Sequence, residues 1–134
     1  MRRLRDMAEV VIDASAMVDL LLDNELAGAV RRRLAGNALH APAHLDAEVL
    51  AALGRLHRAG ELEAEDVESR LRALVAAPIQ RHNVSDLLIG SWSRRHQLRL
   101  ADALYVQLAV SRGLALVTTD RRLHAAPAAD VVVT

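Results

Sequence analysis

Three apolar residues, Val10-Val11-Ile12, run without a polar break into Asp13. The pattern returns late in the chain, where Leu114-Ala115-Leu116-Val117 leads through Thr118 and Thr119 to Asp120. A strand with one wet face alternates apolar and polar residues. A strand covered on both faces reads as a continuous apolar run, the habit of parallel sheets. Segments with helical spacing separate the runs, so parallel strands joined by helical crossovers are expected.

The remaining elements follow from periodicity and punctuation. Residues 9–13 read as a first strand, with a helix starting near Ala16 and helical character continuing over 24–36 to a stop at Gly36. "NALHAP" (37–42) suits a second strand ended by Pro42. Leu45, Val49, Leu53 and Leu56 recur at helical spacing within 44–60. A helix over 63–77 carries acids in its first turns, as the helix dipole favours. A short strand fits 78–84, and Ser85 reads as the cap of a helix over 85–97. Residues 100–113 are helical to Gly113, and 114–120 and 130–134 read as strands. The expected architecture is α/β: a three-layer α/β/α sandwich around a parallel sheet of about five strands, one domain over 1–134.

The 134 residues are 52% hydrophobic and 25% charged, enough to bury a core and unlike a disordered chain. The 17 basic and 17 acidic residues balance, so net charge announces no nucleic-acid binder, yet an acidic pocket with a basic rim remains compatible. Every basic residue is arginine, which excludes any mechanism that needs a lysine. Without cysteine there is no disulfide, thiolate or cysteine-based zinc site. Trp92 and Tyr105 are the only aromatic residues of the Phe, Trp and Tyr class, too few for a base-stacking platform. The start "MRRLRDMAEVV" is basic but broken by Asp6 and Glu9 and does not read as a signal peptide. No apolar run approaches a membrane span. A cytoplasmic location is expected; Met7 is an alternative start, leaving Arg2, Arg3 and Arg5 as a loose basic tail.

Open parallel sheets bind ligands beyond the carboxyl ends of their strands. Four acids fall there: Asp13 after strand one, Glu48 early in the helix after strand two, Asp102 at the start of the 100–113 helix, and Asp120 after "LALVTT". Taken singly, Asp102 suits a helix-start charge, Glu48 a solvated helix residue and Asp120 a cap. Asp13, joined to a buried strand, has little access to solvent. Four carboxylates at one edge repel unless cations lie between them. Oxygen-only donors suit Mg²⁺ or Mn²⁺, ions that support in-line displacement at a phosphodiester. Asp19, Asp23, Asp46 and Asp86 read as structural or solvated, and none of the six histidines shows ligand spacing. Arg31 to Arg33, Arg94, Arg95, Arg99, Arg121 and Arg122 are candidate phosphate contacts or solvated charges, Arg121 and Arg122 the better placed beside Asp120.

The blocks "VIDASAMVDLL", "AEVLAAL", "LADALYVQLA" and "LVTTDRRL" around these four acids resemble the PIN domain, and within it the VapC toxins of type II toxin–antitoxin pairs. The resemblance spans nearly the whole chain. It implies a PIN-like fold and a metal-dependent endoribonuclease using Mg²⁺ or Mn²⁺. It also implies an acidic site of Asp13, Glu48, Asp102 and Asp120, inhibition by a VapB-type antitoxin, and a homodimer or toxin–antitoxin complex. Ser15 and Thr118 match small hydroxyl positions that orient carboxylates. Ala101 stands where many relatives carry tyrosine, which alters packing at that helix start. The apolar faces of 19–34 and of 50–75 are expected to line a groove for the partner or to serve as core.

Other acid-pocket enzymes of this architecture fit less well. A receiver domain needs a lysine near its last strands, and a haloacid-dehalogenase-type phosphatase needs an aspartate where Ser15 stands. A non-catalytic PIN-fold binding module remains the alternative.

Overall fold

The computed structural model describes residues 8–133. Arg2, Arg3, Arg5 and the choice between Met1 and Met7 lie outside them. Five strands, β1 (Ala8–Ile12), β2 (Asn37–Pro42), β3 (Ile79–His82), β4 (Ala115–Thr118) and β5 (Ala129–Val131), form one parallel sheet in the order β3-β2-β1-β4-β5. The apolar run that leads into Asp13 thus takes the central place. Val11 and Ile12 are fully buried, beside Leu116 and Val117 of β4. Each such side chain contributes about 1.5–3 kcal/mol through burial.

Helices α1 (Ala14–Leu22), α2 (Ala27–Leu34), α3 (Leu45–Arg58) and α4 (Ala64–Ala76) carry the chain outward from β1 to β3 and pack on one another. The chain then returns through α5 (Leu88–Trp92) and α6 (Leu100–Arg112), which lies along β1, β2 and β4. Crossovers of one hand place these two sets on opposite faces, which gives the three layers. Leu45, Val49 and Leu53 form the buried stripe of α3, and Tyr105, Val106, Leu108 and Ala109 that of α6. Gly113 at φ 67° closes α6 in the left-handed region that favours glycine. Among the described residues no helix is long and apolar enough to cross a membrane.

Several boundaries differ from the sequence expectation. The first helix starts at Ala14, because Asp13 itself caps it. A left-handed Asp23 (φ 51°) separates α1 from α2, so residues 24–36 are helical only from Ala27. Ser85 caps nothing: it lies inside a 3-10 turn over Val84–Leu87, entered at Asn83 without a side-chain cap. The helix expected over 85–97 shrinks to the five residues of α5. Gly90, Ser91 and Ser93 are weak helix formers, and the Ser93 hydroxyl bonds back to the Gly90 carbonyl. Gly90 still matters, since a Cβ there would fall 2.2 Å from Gln107 Cδ on α6.

Candidate metal centre

Asp13 leaves the sheet while still bonded to it: its N–H donates to the Val117 carbonyl at 3.2 Å. Its side chain turns into the first turn of α1, where Oδ1 accepts from Ala16 N at 3.0 Å. Ser15 Oγ also donates to Oδ1, at 2.7 Å, and Thr118 Oγ1 donates to Oδ2. Each hydroxyl has one proton, and both protons go to Asp13. The oxygens left over accept from the next loop: Thr119 N donates to Ser15 Oγ (3.1 Å) and Asp120 N to Thr118 Oγ1 (3.0 Å). A net of neutral donors therefore joins the ends of β1 and β4. Asp13 is only 4% exposed. Burial pushes its carboxyl up to about 6, against the lowering pull of Ala16, Thr118 and Ser15 and with a smaller push from Asp102.

The other three acids come from different elements and have different surroundings. Glu48, in the first turn of α3, accepts a 2.6 Å bond on Oε1 from the Tyr105 hydroxyl, with His44 Nε2 3.4 Å from the same oxygen. Asp102, in the first turn of α6, is half-buried. Desolvation raises its carboxyl, Asp120 and Glu48 add to the rise, and Arg99 and Arg122 oppose it. Asp120 caps the 3-10 turn over Arg121–Leu123, its Oδ1 accepting from Arg122 N at 3.0 Å. The Arg122 guanidinium also grips both carboxylate oxygens, at 3.0 and 2.7 Å. That grip holds Asp120 below its ordinary range.

All four acids line one cavity of about 310 Å³, together with Asp19, Arg55, Arg99 and Arg122. The sheet topology thus delivers them to one place. They share the cavity without closing into a ready-made shell: among the described residues no three His, Asp or Glu side chains stand close enough to enclose a cation. Asp13, Glu48 and Asp120 are each drawn instead toward protein partners of their own. A divalent ion such as Mg²⁺ does not need such a cage, since it keeps several waters and takes one or two carboxylates. The donor set is all oxygen, and Asp13 and Asp102 carry charge that burial and their neighbours leave under-compensated. A hard cation suits that chemistry.

Some residues fall elsewhere than the sequence reading placed them. Asp19, set aside as structural, lines the cavity and accepts from Asn24 Nδ2. Arg55, not singled out, lines it too: Glu48, Ala52 and Arg55 share one face of α3 at a spacing of four and then three, a readable signal. Arg122 and Arg99 reach the cavity, whereas Arg121 is exposed outside its lining. Arg31 pairs with Asp23 and Arg33 with Asp130, away from the site. Asp46 stays structural, held by Arg81 Nε and Nη2 at 3.0 Å each, which clamps α3 to β3. His40 is buried between Glu9 Oε1 (2.7 Å) and His82 Nε2 (2.8 Å). An apolar hollow of about 400 Å³ lies between α5 and α6 and not on the two predicted faces. Leu88, Ile89, Trp92 and Leu100 are exposed around it. Leu50 and Val75 are the large apolar residues exposed on α3 and α4.

With parallel sheet, crossovers and acid-lined edge in place, the class follows. Residues 10–129 match the PIN domain, and the chain belongs to that family. Within it, the chain sits among the VapC proteins. It is 56% identical over 126 residues to Ribonuclease VapC3 of Mycobacterium tuberculosis, a match covering 92% of each chain. The fold is similar to that of VapC20 from the same organism, described as a sarcin-ricin loop cleaving toxin, with TM-score 0.70, 15% identity and coverage of 93% and 100%. It is also similar to a chain of VapBC2 from Rickettsia felis, solved on a DNA fragment from its promoter, with TM-score 0.69, 12% identity and coverage of 92% and 98%. At these identities the two structures speak for the fold alone.

Proposed function

We propose that this chain is a metal-dependent endoribonuclease, the toxin of a VapBC-type pair. One observation carries the reading: carboxylates from four separate elements line a single cavity at the strand ends, with the most buried of them left without a cationic partner.

In this reading Asp13, Glu48, Asp102 and Asp120 are the catalytic acids and hold Mg²⁺ or Mn²⁺. When bound there, such an ion would supply neutralisation of phosphodiester charge and a lowered pKa for a water. Ser15 and Thr118 fix both oxygens of Asp13, so the carboxylate needs little reorganisation when it binds. Arg55 and Arg99 have no ion-pair partner among the described residues and line the same cavity. They hold phosphates of the RNA backbone on either side of the acids, with Arg122 and, from the outer surface, Arg121. A cognate VapB-type antitoxin covers the site in the resting complex, and the toxin forms a homodimer or a heterocomplex with that antitoxin in the cytoplasm.

The test is cleavage of a panel of structured RNAs by purified protein with Mg²⁺ or Mn²⁺. Activity is expected to stop with EDTA and to fall at least about a hundredfold in Asp13→Asn. A wild type no better than that variant across the panel would overturn the enzyme. Co-purification with the product of the neighbouring small gene tests the pairing, and a monomer that ignores that product would count against it.

A further inference from the structure

Tyr105 is the chain's only tyrosine. It is 1% exposed, yet its hydroxyl reaches the acid cavity. It sits one helical turn after Asp102, so α6 delivers a carboxylate and, three residues on, a phenol to the same place. That phenol donates to Glu48 Oε1 at 2.6 Å, across from α6 to α3. Glu48 Oε2 has no protein hydrogen-bond partner among the described residues, and Glu48 lines the cavity. One oxygen of Glu48 is therefore occupied and one remains.

His44 supports this arrangement. Its ring lies 4.6 Å from that of Tyr105, tilted by 40°. The Ala101 carbonyl, 3.0 Å from Nε2, can only accept, so Nε2 carries the proton. His44 Nδ1 is buried with no partner, and a proton there would be a stranded donor. His44, four residues before Glu48, is thus tethered to the start of α6 through its Nε2–H, and its ring presses on the phenol.

We propose that Tyr105, braced by His44, is a positioning residue that ties up Glu48 Oε1 and commits Glu48 to the metal through its other oxygen. The proposal rests on the nuclease reading above. A carboxylate that binds through one oxygen leaves more of a hard cation's coordination shell to water and phosphate. Loss of such a supporting hydrogen bond ordinarily costs about 10–100-fold in metal affinity or activity.

Tyr105→Phe removes the hydroxyl and keeps the ring in its packing. Mg²⁺ binding followed by calorimetry should weaken about 10–100-fold, and kcat should fall in the same range with KM for RNA little changed. In a Glu48→Gln background the same substitution should change Mg²⁺ affinity less than about twofold, because the two residues act as one unit. Because Tyr105 is the only tyrosine, 3-fluorotyrosine incorporation labels this one ring for ¹⁹F resonance. That resonance should shift as Mg²⁺ saturates the wild type and stay still in Glu48→Gln. This measurement decides the matter if Tyr105→Phe proves too unstable to titrate. Wild type that binds Mg²⁺ and cleaves RNA, with Tyr105→Phe equal to it or a ¹⁹F signal blind to Mg²⁺, overturns the positioning role alone. Wild type that neither binds Mg²⁺ nor cleaves overturns the nuclease reading and this role with it.

Discussion

Asp13 and Asp120 follow neighbouring strands of the same sheet and face the same cavity, but they are stabilised in opposite ways. Asp13 is buried and held by three neutral donors: two hydroxyls and a backbone N–H. Asp120 is more open and held by a guanidinium on both oxygens. Neutral donors fix direction and leave the charge in place; a guanidinium cancels it. The pair shows how a protein can store unpaired negative charge at one point. It buries a carboxylate, keeps cations off it, and satisfies its oxygens with groups that cannot neutralise it. The cost is reduced stability of the metal-free chain.

The largest expected effect comes from removing the stored charge. Asp13→Asn keeps an acceptor for Ala16 N and so keeps the cap. It should abolish cleavage, by at least about a hundredfold, while the metal-free protein at pH 8 becomes more stable by about 1–2 kcal/mol, measured by denaturant titration. An equal loss of activity and stability would break the contrast. The pH dependence sharpens it. Between the unfolded value near 3.9 and about 6, the folded chain holds a proton on Asp13 that the unfolded chain has lost. Metal-free stability should therefore fall as pH rises from about 4 to 6, and this slope should shrink in Asp13→Asn, the remainder coming from the raised carboxyl of Asp102. Asp120 works with the other sign: its lowered carboxyl adds stability above its unfolded value, lost as pH drops below about 4.

Thr118→Val removes one neutral donor at nearly constant volume. Cleavage should fall about 10–100-fold, with its acid limb moved to higher pH because Asp13 loses a bond that favours its charged form. Arg122→Gln attacks the other corner. It should tighten Mg²⁺ binding a few-fold by freeing Asp120 and lower the salt slope of RNA binding by about one. Unchanged metal affinity would show that the Arg122 grip is not what separates the two acids. Asp46→Asn is the quiet control. It loosens the Arg81 clamp between α3 and β3 and should cost about 1 kcal/mol or less, a shift of a few degrees at most in Tm, with cleavage intact.

The fold and the four acids were legible because the signals are local. Unbroken apolar runs name buried parallel strands, and such a sheet sends the residues after its strands to one edge. Ser15 and Thr118 were legible through their neighbourhood with the acids. Asp19 and Tyr105 were not, because each reaches the cavity by a helix face set only by packing, and the contact of His44 with the Tyr105 ring likewise needs α3 placed against α6; Arg55 was legible from its shared face with Glu48. Tyr105 looks like a core residue, and its ring is one; only the position of α3 against α6 gives its hydroxyl a carboxylate. Ser85 misled because a serine before an apolar run resembles a cap whether or not the backbone opens there. The hollow between α5 and α6 escaped notice because α5 is too short to show periodicity.

The most direct test of stored charge waiting for a cation is thermal unfolding at pH 8 with EDTA and with Mg²⁺, in wild type and Asp13→Asn side by side. With Mg²⁺ at about ten times its Kd, wild type should gain about 1.4 kcal/mol, several degrees in Tm, reversed by EDTA. Asp13→Asn should start higher in EDTA and gain little. Equal Mg²⁺ stabilisation of the two proteins, or a less stable Asp13→Asn in EDTA, would contradict the account.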